Sequence, residues 1–98
     1  MSEHIEQIYQ ELKKLGLTDS LADFSIRWLG KSSRYVPMLR SSGREPSLDA
    51  LGRLAAHLKY SHEYHKSHRQ GELRLKADGI YILVRRCWTE FYETAMKR

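Results

Sequence analysis

The sequence predicts a small all-α domain of four to five helices. Three observations carry that reading. Apolar residues recur at steps of three and four in successive segments, the period of one helix face. Glycine, serine and proline punctuate the chain between those segments. With 98 residues the chain fits one domain, and 41% hydrophobic residues including two Trp, six Tyr and two Phe is a folding composition.

Ile5, Ile8, Leu12 and Leu15 mark the first helix, and Gly16 follows where a helix end favours glycine. Ser20 is a suitable N-cap for the second helix, with Asp23 three residues on in the manner of a capping box. Leu21, Phe24, Trp28 and Leu29 form its stripe, and Gly30 ends it. A third helix is expected from Ser32 or Ser33 to about Arg40, stopped by Ser41, Ser42 and Gly43. Pro46 biases Glu45 away from helix, and Ser47 caps a fourth helix with Leu48, Leu51, Ala55 and Leu58 as its stripe. Asp49 sits in that helix's first turn, where the dipole favours an acid.

Beyond Tyr60 the stretch YSHEYHKSHRQGE reads as helix continuation or linker. Leu73, Ala77, Ile80, Val84, Cys87 and Phe91 then alternate steps of four and three, a heptad-like seam. Asp78-Gly79 also permits a hairpin turn between ELRLKA and IYILVR. Trp88, Tyr92 and Met96, four residues apart, favour helix.

Charge is unevenly spread. The net value is +5, and residues 27–59 carry seven Lys or Arg against two Asp or Glu. Residues 1–26 carry two against five. A focused basic stretch is the footprint of a nucleic-acid binder. A single cysteine, Cys87, excludes an internal disulfide, and nothing suggests a Cys-based metal site. No apolar run reaches the length of a membrane span or resembles a secretory signal, so the reading is of a soluble, cytoplasmic, nucleoid-associated protein. No phosphate loop, carboxylate pair or nucleophile pattern points to an enzyme. No cysteine or well-placed carboxylate except Glu63 or Glu72 completes a zinc site with His57, His62, His65 and His68, so no metal and no cofactor is expected.

Short helices joined by a tight turn describe a helix-turn-helix. The stretch SLADFSIRWLGKSSRYVPMLRSSGREPSLDALGRLAAHL resembles the Cro/λ-repressor type of DNA-binding domain. The resemblance rests on Ser25 as the small packing residue, Gly30 at the turn, the helix from Ser33 to Arg40, and Gly43-Arg44-Glu45-Pro46-Ser47 before a leucine-patterned helix. Gly30 falls one place later than in that family, and Pro37 lies inside the presumed recognition helix.

The resemblance implies double-stranded DNA as partner, with the third helix in the major groove. Ser33, Arg34, Tyr35 and Met38 would meet base edges, Arg34 by pairing with guanine. Lys31, Ser32, Arg40 and Arg44 would hold phosphates, aided by the helix N-terminus. Tyr35 is equally suited to the core. Residues 1–60 then form the DNA-binding region and 61–98 a helical extension that caps the core and dimerises. Ile80, Val84, Cys87, Trp88 and Phe91 are its expected homodimer interface. A dimeric bacterial or phage repressor reading a palindromic operator is the resulting expectation. The alternative is an adaptor that docks on another regulatory protein through a degenerate helix-turn-helix.

Overall fold

The computed structural model describes residues 3–66 and 71–96, with the side chains of 65–66 and 71–78 left aside. Five helices make up the fold, and no strand occurs among the described residues. They are α1 (Glu3–Lys14), α2 (residues 21–28), α3 (Tyr35–Ser42), α4 (Leu48–Lys66) and α5 (Gly71–Met96). No described helix is long and apolar enough to cross a membrane.

The two long helices, α4 and α5, pack against each other and form the wall on which the shorter ones sit. Ala50, Leu51, Leu54, Ala55 and Leu58 of α4 are fully buried, as are Ile80 and Cys87 of α5. Residues 78–82 are helical, so the hairpin alternative does not apply, and α4 runs through the histidine-rich stretch to Lys66. Gly79 is tolerated because it faces the side chain of Leu15, with room for ordinary contact only.

α1 lies along α5 with its chain direction reversed. Leu15 meets Gly79 at one end, and His4 meets Glu90 and Glu93 at the other. Ile5, Ile8, Tyr9 and Leu12 fill the space between α1 and the core, as their spacing predicts.

α2 opens as an α-helical turn, Leu21–Asp23, capped by Ser20, whose Oγ accepts the Asp23 N–H at 3.1 Å. Asp23 does not complete a capping box. Its carboxylate accepts instead from the Thr18 hydroxyl at 2.6 Å and pairs with Arg27. The helix then widens into a π-helical turn, Phe24–Trp28, in which the Leu29 N–H reaches back to the Phe24 carbonyl. A π turn holds one residue more than an α turn. That extra residue accounts for the late position of Gly30, which adopts a φ of 65°.

α3 begins later than the serines predict. Neither Ser32 nor Ser33 caps it; a turn closed by Tyr35 N–H to the Ser32 carbonyl precedes the helix, and Arg34 stands at the cap without a side-chain bond. Pro37 falls in the first turn, where helical N–H groups have no carbonyl to reach, so α3 continues unbroken to Gly43. Ser47 caps α4 as expected, accepting the Ala50 N–H at 3.2 Å.

Candidate nucleic-acid interface

The segment from α2 through α3 to the start of α4 is fixed by two polar contacts under its surface. Ser25, fully buried, donates to the Leu21 carbonyl at 2.8 Å and accepts the Val36 N–H at 3.1 Å. A single hydroxyl thus ties the middle of α2 to the first turn of α3. The Tyr35 hydroxyl accepts the Ser47 N–H at 3.0 Å and reaches the Ser47 Oγ, tying α3 to the cap of α4. Val36 and Leu39 complete the buried side of α3. Tyr35 therefore serves the fold, and its hydroxyl is engaged beneath the surface.

The outer side of α3 is open. Ser32, Ser33, Arg34, Met38 and Arg44 are all exposed, Met38 at 51% of its area. Arg34 and Arg44 pair with no acid among the described residues. Arg27, Lys31, Arg40 and Arg53 are answered. Lys31 donates to Asp49 at 2.8 Å and lies over the Tyr35 ring. Arg53 shares Asp49 and lies against Gly30, where an added Cβ would meet its Cδ at 2.7 Å. The hydrogen bond from Lys31 is the main cause holding the Asp49 carboxyl below its ordinary range.

Arg40, expected at a phosphate, turns the other way. It makes a two-point contact with Glu6 of α1, its Nε donating at 2.7 Å, and its guanidinium sits 5.6 Å from the Tyr9 ring centre. The Glu6 hydrogen bond raises its already high pKa. The start of α3 also offers no anion pocket. The Tyr35 and Val36 N–H groups are bonded within the chain, and Pro37 has none. Of the eight predicted DNA-facing residues, Ser32, Ser33, Arg34, Met38 and Arg44 are exposed around α3. Lys31, Tyr35 and Arg40 are held by neighbours.

The predicted dimer interface requires correction. Ile80 and Cys87 lie at 0% exposure inside this chain's own core, because the seam of α5 faces α4 and α1. The Cys87 thiol donates to the Leu51 carbonyl, and burial pushes its pKa up to about 12. Val84 and Phe91 are half-buried against the same core. Trp88 alone of the five is exposed, and it belongs to a different stripe with Tyr81, Tyr92 and Met96. Its ring packs on Phe91 and Tyr92 at 5.5 and 5.8 Å.

Two members of the histidine series can be followed. His57 sits edge-on to Trp28, while His62 packs on Tyr81. His68 and the side chain of His65 lie outside the described residues. Beside His57 an open groove of about 420 Å³ is lined by Leu17, Arg27, Trp28, Tyr60 and Tyr64.

Residues 5–98 match a family of unknown function, DUF6626. The chain belongs to that family. No curated protein and no solved structure matches it. The matched span runs from α1 into the last residues of the chain, so it takes in the α4–α5 pair together with the α2–α3 surface.

Proposed function

We propose that the chain is a DNA-binding transcriptional regulator that uses the open side of α3 as a recognition surface, in the manner of the Cro/λ-repressor type it resembles. The observation that carries this reading is the pair of exposed, acid-free arginines, Arg34 and Arg44, flanking Met38 on a helix whose opposite side is locked by Ser25 and Tyr35. A rigid helix with uncommitted guanidiniums on one side suits major-groove reading, where arginine pairs with guanine. Arg44 in the following turn is placed for a phosphate. A homodimer through the exposed Tyr81, Trp88, Tyr92 and Met96 stripe would supply the second half-site, and blocking polymerase is the simplest action on transcription.

The second reading is a protein adaptor in the same location. It is favoured by the pairing of Arg27, Lys31, Arg40 and Arg53 with acids, which lowers the effective positive field, and by the aromatic groove around Tyr60 and Tyr64. Binding to the DNA upstream of the chain's own coding sequence and to a scrambled duplex, each titrated across salt, separates the two. A regulator binds the native duplex more tightly, with affinity falling steeply as salt rises. Arg44→Ala then lowers the salt slope by about one, and Arg34→Ala relaxes sequence preference at about 1–3 kcal/mol. Absence of binding to either duplex at low salt overturns the DNA reading in favour of the adaptor.

A further inference from the structure

At the far end of the α1–α5 seam three ligating groups converge. One ring nitrogen of His4 and one carboxylate oxygen each from Glu90 and Glu93 all lie within 4.8 Å of one another. Glu90 and Glu93 are three apart on α5 and share a face. His4 reaches them from the first turn of α1 because the two helices run antiparallel.

Two further observations point to a missing partner. Glu90 is only 7% exposed, yet its carboxylate makes no hydrogen bond or ion pair among the described residues. Arg86, one turn before it, lines a neighbouring groove with Glu3, Glu6 and Glu11 instead. Separately, the Nδ1 atom of His4 is buried without a hydrogen-bond partner. A buried polar nitrogen without a partner is costly, and a carboxylate on a residue this little exposed keeps only slight contact with water. Both residues belong to the same three-group cluster.

We propose that His4, Glu90 and Glu93 bind one divalent transition-metal cation, which clamps the start of α1 to the end of α5. An imidazole with two carboxylates is a donor set suited to zinc and its first-row neighbours. Three protein ligands leave a coordination position for water. In a tetrahedral site with bonds of about 2.1 Å, ligand atoms stand about 3.4 Å apart, so side-chain adjustment must draw the three groups in. The cation would neutralise Glu90 and occupy the unused nitrogen lone pair of His4. The site is separate from the α3 surface and stands or falls independently of DNA binding.

The test is zinc titration of the full, untagged chain by calorimetry, with thermal unfolding alongside. One equivalent binds saturably, and zinc at a hundredfold above its Kd raises Tm by about 10 °C. His4→Ala, Glu90→Gln and Glu93→Gln each abolish that equivalent and the Tm rise while remaining folded by circular dichroism. Glu90→Gln keeps the shape and removes the unpaired charge, so its metal-free Tm equals or exceeds that of the parent. Three results overturn the proposal: no saturable binding, one-equivalent binding that survives all three variants, or binding lost instead on replacing His62, His65 and His68.

Discussion

The two sides of this molecule treat charge in opposite ways. Around α2, α3 and the start of α4, four cations find acids: Arg27 with Asp23, Lys31 and Arg53 with Asp49, and Arg40 with Glu6. These pairs lie at the surface, where solvent already screens them and each is worth little. In the α1–α5 seam the Nδ1 atom of His4 is buried without a hydrogen-bond partner among the described residues, and Glu90 lies beside it at 7% exposure. Net charge along the chain picks out residues 27–59, where the positive excess is greatest. The structure draws attention instead to the α1–α5 seam, where a buried polar atom goes unanswered. A polar group left unmet out of water, and not charge density, marks the costlier arrangement.

Breaking the comparison at its hydrogen bonds gives the largest effect. Ser25→Ala removes the acceptor of the buried Val36 N–H and is expected to destabilise by up to about 3 kcal/mol in urea unfolding. The opposite sign is expected in the seam. Glu90→Leu replaces an unpaired buried carboxylate with an apolar group of similar size, and should raise metal-free stability by about 1–2 kcal/mol while removing zinc binding. If that variant is less stable than the parent in metal-free solution, Glu90 has a protein counter-charge and the contrast fails.

The smallest effects sharpen the contrast on the α3 side. Arg40→Ala loses both the Glu6 pair and the Tyr9 ring contact, and should cost about 1 kcal/mol in thermal unfolding. Arg34→Ala should change stability by less than about 0.5 kcal/mol, since nothing in the chain depends on its charge. A DNA-binding defect in Arg40→Ala without any loss of stability would mean that Arg40 leaves Glu6 to meet phosphate.

The helix content was legible because periodicity and punctuation agreed at nearly every boundary. Ser20 and Ser47 are caps, Gly43 is a left-handed stop, and Trp28 and Leu39 are core. The start of α3 was not, since Ser32 and Ser33 carry cap chemistry but sit in a turn that precedes the helix. The seam of α5 was found correctly and given the wrong partner. Steps of four and three show that a helix face is covered, not whether the cover is a second copy or α1 and α4. Arg40 shows a similar limit: its salt-bridge partner is 34 residues away, and spacing along the chain does not reveal it.

Of the candidate metal site, one trace was available. Glu90 stands one heptad after Leu83, and both are buried. A glutamate in the register of a core leucine is a local contradiction of the apolar pattern, and such contradictions gather at functional positions. His4 gave no signal, because only the antiparallel register of α1 and α5 brings it near.

That register also orders events during synthesis. The helix made first rests chiefly on the helix made last. Ile5, Ile8 and Leu12 therefore have no lasting cover until α5 has left the ribosome, several seconds after α1 at ordinary rates of elongation. The α2–α3 surface and the first turns of α4 are contiguous in sequence and can assemble before then. A nascent chain would thus present a formed α2–α3 segment beside a bare amphipathic α1, and of the two it is α1 that a chaperone would engage.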